Sequence, residues 1–157
     1  MNTLNNCSEF RELLRLLVRK LGGFDKTQFS CCGITLAQCH ALVEIGRTGT
    51  LSLNDLSEIL GLDNTTLSRT VNNLVHEGLV NRGLNLDDRR YVVITLTPKG
   101  YDLFQNIEKN MGEYYQKVML LIPVEKRNQV VESLKIILQS MEQNPCCPTQ
   151  GVIQNGI

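Results

Sequence analysis

The segment 85–100, NLDDRRYVVITLTPKG, constrains the fold more than any other part of the chain. Two adjacent arginines follow two aspartates, and the β-branched run after them is typical of a returning strand. Thr97 and Pro98 then start a helix, because proline is favoured at the first helical position. The pattern predicts strands over residues 79–85 and 91–97, joined by a charged tip, with a long helix directly behind them.

A pair of short helices joined by a tight glycine turn precedes this hairpin. Ser52 can cap the first of these helices, and Gly61 ends it in a position suited to a left-handed turn. Asp63 can cap the second helix, and Gly78 is expected to terminate it. The side chains predicted to face inward from the pair are apolar: Leu53, Leu56, Ile59, Leu60, Leu67, Val71 and Leu74.

Two further helices are predicted upstream of the pair. The first has apolar residues at three- and four-residue spacing, and we expect it to stop at Gly22-Gly23. The second begins with a capping box formed by Thr35 and Gln38, and it is predicted to run to Gly46.

Behind the hairpin, a fifth helix is broken by Pro123 and a sixth helix follows. The first, fifth and sixth helices are amphipathic, but a chain of this length offers them little core to cover. We therefore expect residues 8–22 and 101–141 to be dimerisation helices that pack against a second copy of the chain. The tail, residues 144–157, is rich in Pro, Gly, Gln and Asn and is expected to be poorly ordered.

Length and composition fit one domain, residues 1–157, that is mainly α with a small β-hairpin. The formal net charge is zero, but local patches rather than totals set the potential that nucleic acid meets. Charged residues interrupt the apolar N-terminus, so no signal peptide is expected, and no apolar run approaches the roughly 20 residues of a membrane span. These observations predict a cytoplasmic protein.

The polar side of the fourth helix has the composition of a DNA recognition helix. Thr65, Thr66 and Ser68 supply short groups near its start, and Arg69 supplies a fork suited to guanine O6 and N7. Asn72 can pair with adenine or with a phosphate. The alternative interpretation is an ordinary solvated helix face.

The hairpin tip strengthens the prediction of DNA binding. Arg89 and Arg90 give it positive charge, and Asp88 can hold Arg90 extended for the minor groove through a paired hydrogen bond. The alternative is an exposed ion pair worth about 0–1 kcal/mol. A helix pair followed directly by a basic hairpin favours duplex DNA as the partner.

This part of the chain resembles the winged helix-turn-helix core of the MarR family of bacterial transcriptional regulators. The resemblance covers residues 56–100, and the order of helices agrees over roughly residues 8–141. The residues that match the family pattern are Leu60-Gly61, the helix start from Asp63 to Arg69, Leu74, Gly78-Leu79-Val80, Asp88, Arg90, Leu96, Thr97 and Gly100.

The resemblance implies a homodimer that binds a pseudo-palindromic operator, usually as a repressor released by a small ligand or by thiol chemistry. It also implies that residues 35–100 form the DNA-binding lobe and that Arg90 enters the minor groove. The sequence departs from the family in its cysteine-rich loop and its Cys-Cys tail.

Those cysteines are candidate sensors. Cys31 and Cys32 precede the second helix and Cys39 lies one turn inside it, where helix N-termini stabilise thiolates. Two or three thiolates suit a soft metal or a metalloid such as As(III), and Cys146 and Cys147 are possible additional ligands. Simple packing is the alternative explanation, above all for Cys39.

Other sites and classes stay open at this stage. His40 could be a ligand, although a lone histidine is more often structural, and Cys7 lies where peroxide-sensing members of the family carry a reactive cysteine. A competing trigger is a small aromatic or phenolic ligand in a cleft between the lobes, lined by Phe10, Phe24, Phe29, Tyr114 and Tyr115.

Two classes of protein are alternatives to a DNA-binding regulator. The first is a winged-helix module that binds another protein and has no affinity for DNA. The second is an enzyme, but the sequence has no Ser-His-Asp order, no phosphate-cradling glycine loop and no HExxH motif. We therefore predict that the chain is not an enzyme.

Overall fold

The structure is a computed structural model that describes residues 3–28, 33–85 and 91–144, with the side chains of 3–5 and 22–28 left out. It divides into two compact units, residues 1–109 and 110–157. The elements are α1 (Thr3–Gln28), α2 (Leu36–Thr48), β1 (Leu51–Ser52), α3 (Leu53–Leu60), α4 (Asn64–His76), β2 (Val80–Leu84), β3 (Val92–Leu96), α5 (Pro98–Leu121), a 3-10 turn (Val124–Lys126) and α6 (Arg127–Gln143).

The predicted fold class is confirmed: the described residues are mainly helical and include one small antiparallel sheet. β2 and β3 form the predicted hairpin, with Val80 opposite Leu96 and Leu84 opposite Val92. A third strand, β1, pairs with β3 on its other side and was not predicted from the sequence. It has only two residues, so it has no periodic pattern of its own.

The three predicted helix starts in the central region are confirmed. Thr35 and Ser52 each form a complete capping box, with Gln38 and Asp55 as their partners. Asp63 caps α4. These signals are local, because each cap and its partner lie within one helical turn. Gly61 adopts the predicted left-handed conformation after α3, with φ of 61°.

Two predicted helix ends are wrong. α1 continues through Gly22-Gly23 to Gln28, since a glycine weakens a helix by about 1 kcal/mol without stopping it. α2 continues past Gly46 to Thr48. A Cβ at Gly46 would lie 2.6 Å from the ring of Phe104, so this glycine makes room for an aromatic side chain inside the helix rather than ending it.

The core of the first unit forms where α2, α3, α4 and the sheet pack together. Its fully buried side chains come from every one of these elements, namely Leu42, Ile45, Leu56, Leu67, Val71, Leu74 and Ile94. The predicted inner stripe of α3 is only partly correct, because Leu56 is buried but Ile59 is 50% exposed. α3 has only eight residues, and Leu56 is its one buried side chain.

The other helices bury little within a single chain. No described residue of α6 is buried. Apolar side chains of α1, of the second half of α5 and of α6 are exposed, among them Phe10, Leu13, Val18, Leu120, Leu121, Leu134 and Leu138. None of the helices in the described ranges combines the length and hydrophobicity that a membrane crossing requires.

Candidate nucleic-acid interface

α4 presents a polar side to solvent and an apolar side to the core. Leu67, Val71 and Leu74 are fully buried, and they alternate at helical spacing with the residues proposed to contact DNA. Of those residues, Ser68 is half-buried and the others are exposed, namely Thr65, Thr66, Arg69 and Asn72. The structure therefore brings the predicted helix residues together on one accessible face.

The start of α4 is fixed by a carboxylate. Asp63 accepts from the backbone N–H of Thr66 at 2.9 Å and from the Thr66 hydroxyl at 2.6 Å. These two hydrogen bonds, that from the hydroxyl above all, hold the pKa of the Asp63 carboxyl below its usual value. Because the Thr66 hydroxyl already donates its hydrogen bond to Asp63, it can only accept hydrogen bonds from DNA.

The far end of the exposed face is tied to the hairpin. The Arg82 guanidinium on β2 donates to the Asn72 side-chain oxygen on α4 at 3.0 Å. Sequence reasoning placed Asn72 at the interface but missed Arg82. Its signal was its spacing in the strand: two residues after the buried Val80, Arg82 lies on the sheet face that covers the helices.

The C-terminal end of α4 is held by side chains from α2 and α5. Gln38, which is buried, donates to the Glu77 carboxylate at 3.1 Å while it also completes the α2 capping box. Lys99 donates to the Glu77 carbonyl at 2.8 Å. The Thr97 hydroxyl donates to the Gly78 carbonyl at 2.7 Å and accepts from Gly100 N–H at 2.9 Å.

Gly100 allows the start of α5 to approach the end of α4. A Cβ at this position would lie 1.9 Å from the carbonyl oxygen of Leu79. Leu79 also accepts a backbone hydrogen bond from Thr97 at 3.0 Å. The L-T-x-x-G pattern of residues 96–100 thus joins the hairpin, the end of α4 and the start of α5 through backbone contacts that admit no larger residue.

Several predicted site residues lie outside the described residues. These are the hairpin-tip residues Asp88, Arg89 and Arg90, and the cysteines Cys31, Cys32, Cys146 and Cys147. Among the described cysteines, Cys39 is buried and 2% exposed, whereas Cys7 is exposed. Across residues 3–28, 33–85 and 91–144 no group of three His, Cys, Asp or Glu side chains is placed to hold a metal ion.

A mainly apolar cavity of about 370 Å³ lies within the first unit. It is lined by the end of α2, the end of β3 and the start of α5, including Ile45, Gly49, Leu96, Pro98 and Tyr101. Tyr101 was not among the aromatic residues predicted to line a ligand cleft. Two of the predicted cleft residues, Tyr114 and Tyr115, lie in the second unit, where their rings meet edge to face with centroids 5.2 Å apart.

Comparison with known proteins identifies the architecture. Residues 34–92, which hold α2, the helix pair, β2 and the first residue of β3, match the sequence model of the MarR family. This part of the chain is therefore a MarR-family domain. Regulators of this family bind DNA and are not enzymes, so the chain is a DNA-binding transcriptional regulator of the MarR type.

Relatives cover most of the MarR-type chain. It is 29% identical to the uncharacterized HTH-type transcriptional regulator YfiV of Bacillus subtilis, over 86% of each protein. It is 25% identical to the HTH-type transcriptional regulator BilQ of Clostridium symbiosum, over 78% of this chain and 85% of BilQ. The solved S. aureus MepR–DNA complex has the same fold, with a TM-score of 0.72 and 24% identity over 84% of this chain and 97% of MepR.

Proposed function

We propose that this MarR-family regulator is a cytoplasmic, homodimeric repressor that binds a pseudo-palindromic operator in double-stranded DNA. The observation that supports this most is the polar face of α4, which is exposed, capped by Asp63 and backed by a fully buried apolar side. A helix held in this way can enter the major groove without losing its conformation. MepR, which shares the fold, was solved in complex with DNA.

Each predicted contact has a distinct role in this proposal. Thr65, Thr66 and Ser68 lie close to base edges, and Arg69 donates to guanine O6 and N7. Asn72 contacts the DNA backbone or a base. At the hairpin tip, Arg89 and Arg90 reach the minor groove, with Asp88 orienting Arg90.

The exposed apolar helices support a homodimer. We assign dimerisation to residues 8–22 and 101–141 and DNA binding to the lobe at residues 35–100. Leu13 is 60% exposed, Leu121 87% and Leu138 61%, and exposure of this extent over long helices is typical of a surface that a partner covers. A dimer also places two α4 helices about 34–36 Å apart, in successive major grooves on one side of the duplex.

A gel-shift titration against the DNA upstream of the protein's own gene tests the proposal. We expect Arg69→Ala, and Arg89→Ala with Arg90→Ala, each to weaken binding at least tenfold, and the affinity of the unaltered protein to fall steeply with salt. Lys26→Ala also removes one positive charge, at a position outside the residues assigned to dimerisation or DNA binding, and is the control. DNA affinity that is unchanged by both the arginine substitutions and salt contradicts the proposal.

For the release mechanism, we propose thiol chemistry or binding of a soft metal or metalloid such as As(III) at Cys31, Cys32 and Cys39, with Cys146 and Cys147 as further candidates. Cys39 is buried in the lobe, at the start of the helix whose Gln38 holds Glu77 at the end of α4. A change at this helix start is therefore one hydrogen bond away from α4. If the variant with serine at positions 31, 32 and 39 still leaves DNA on addition of arsenite or peroxide, the thiol mechanism is wrong.

A small aromatic or phenolic ligand is the second candidate trigger. The 370 Å³ cavity beside Tyr101 supports it, because its size and apolar lining suit such a molecule. In this case the triple serine variant responds to a phenolic compound as the unaltered protein does. Tyr101→Leu, which removes the aromatic ring from the cavity wall, is then expected to reduce the response.

A further inference from the structure

The bond between Arg82 and Asn72 lies at the edge of the proposed DNA-binding face. Asn72 is three residues after Arg69 and seven after Thr65, so the three exposed side chains follow one side of α4. Asn72 is in the third turn of this helix, farthest from its N-terminal end. Arg82, on β2, meets it there at 3.0 Å.

The position of Arg82 follows from the register of the sheet. Alternation along β2 puts Arg82 on the same face as Val80, which is 1% exposed. The residue paired with Arg82 across the sheet is Ile94, which is fully buried. The Arg82 side chain therefore starts on the core-facing side of the sheet, and its guanidinium reaches Asn72 where α4 and the hairpin meet.

The bond fixes which way the Asn72 amide faces. A guanidinium has N–H donors and no acceptor, so the amide oxygen must be the atom turned toward Arg82. The amide N–H2 group then points away from Arg82 and is a donor. Arg82 uses one N–H in this bond and has others.

We infer that Arg82 is a positioning residue for Asn72, and that the pair donates jointly to one phosphate of the bound duplex. The inference rests on the proposed DNA-binding function. A phosphate is an anion that only accepts hydrogen bonds, which suits two adjacent donors, one of them cationic. Reading adenine in the usual way needs the amide oxygen to accept from the base, and here that oxygen is turned toward Arg82, which already uses one of its two lone pairs.

The location within α4 also favours a phosphate over a base. Residues near the N-terminus of a recognition helix contact base edges. Asn72 lies in the third turn, beyond the residues proposed to contact bases, where Arg82 of the hairpin meets the helix. The pair therefore fixes the position of α4 on the DNA through a phosphate, and the residues nearer the start of α4 contact the bases.

The test is a double-mutant cycle on full-length protein with operator DNA. The variants are Asn72→Ala, Arg82→Met and the double variant, with Asn73→Ala as the control because Asn73 is the exposed neighbour on the same helix. We expect each single variant to weaken binding about tenfold and the double variant to be little worse than Arg82→Met. We expect Asn73→Ala to change affinity less than about threefold.

Two readouts separate positioning from a general structural effect. Arg82→Met is expected to lower the slope of log affinity against log salt by about 1, whereas Arg82→Gln, which can still donate to Asn72 but has no charge, lowers the slope and retains part of the coupling. Neutralising phosphates one at a time as methylphosphonates should reveal one phosphate that matters to the unaltered protein and not to Arg82→Met.

The outcomes are distinct. If the unaltered protein does not bind duplex DNA, the proposed function fails. If it binds but the two substitutions have independent effects, or no phosphate loses its importance in Arg82→Met, the inference alone is overturned. Relaxed base preference at one operator position in Asn72→Ala also overturns it, because that result assigns Asn72 to a base.

Discussion

The lobe around α4 and the helices at the two ends of the chain differ in how they bury apolar residues. In the lobe, large side chains such as Leu42, Leu56 and Leu67 are fully buried within one chain. In α6 no described side chain is buried, and Ile136 and Leu138 are 56% and 61% exposed. The amphipathic pattern is similar in both regions, so the pattern alone does not tell which partner covers an apolar face.

The contrast assigns different physical origins to the stability of the two regions. The lobe gains its stability from hydrophobic burial within one chain, so it should not depend on protein concentration. In the proposed homodimer the end helices gain theirs from association, which mass action makes dependent on concentration.

Truncation of the lobe core is expected to have the largest effect. Leu56→Ala should lower the free energy of unfolding by about 3 kcal/mol, because it removes a fully buried side chain and leaves a cavity. Ile59→Ala, one turn further along α3, is the control and should lower it by less than about 1 kcal/mol, since Ile59 is 50% exposed. Equilibrium urea unfolding measures both, and equal losses would contradict the assigned core.

Crowding the junction of α4 and α5 is expected to come next. Gly100→Ala should destabilise the protein by about 2 kcal/mol, because its Cβ would overlap the Leu79 carbonyl oxygen, which is backbone and cannot rotate away. Gly112→Ala, in the same helix but facing open space, should instead stabilise it by about 0.5–1 kcal/mol. Thermal unfolding distinguishes the two signs, and a shared sign would contradict the close approach at Gly100.

Changing the exposed apolar helices should affect association and leave the lobe folded. Leu138→Ser is expected to weaken the homodimer by about 1 kcal/mol, roughly a fivefold rise in dissociation constant, because it removes apolar area from the covered surface. Sedimentation equilibrium gives the constant, with Ser140→Ala on the same helix as the control. A chain that is monomeric at micromolar concentration, with or without the substitution, would show that the face has another role.

The smallest expected effect is on acid stability. The folded-state pKa of Asp63 is lowered, so its contribution is present above the unfolded value near 3.8 and is lost as the pH falls through the folded value. Asp63→Asn keeps a capping side chain and removes this titration. Its acid-unfolding curve should therefore be shallower below about pH 4 than that of the unaltered protein, whereas curves of equal steepness would deny Asp63 a role in that transition.

Local signals in the sequence predicted local features well. The caps at Thr35, Ser52 and Asp63 and the helix that begins at Pro98 depend on residues within one turn of each other, and the hairpin pairs two strands that follow each other in the sequence. These features place the polar face of α4 correctly. The resemblance to the MarR family rests largely on the same stretch, and the match of residues 34–92 to the family model confirms it.

Features that depend on contacts between distant residues could not be predicted. The sequence predicted a helix end at Gly46. The residue that requires a glycine there is Phe104, whose ring leaves no room for a Cβ and which lies far along the chain. The strand β1 exists only because it pairs with β3, and Arg82 matters only because β2 brings it to Asn72. Ile59 has the spacing of a core residue, but its side chain is half exposed, because the position of α3 on the lobe buries only Leu56 fully.

The close approach at Gly100 also has a mechanical consequence. With Thr97 bonded to Gly78, and no space between Gly100 and Leu79, the hairpin base cannot hinge separately from the reading helix. In the release mechanism proposed above, an inducer would therefore have to move these parts together. A rotation at the start of α5 is therefore passed to the end of α4 and to the base of β2 and β3 together.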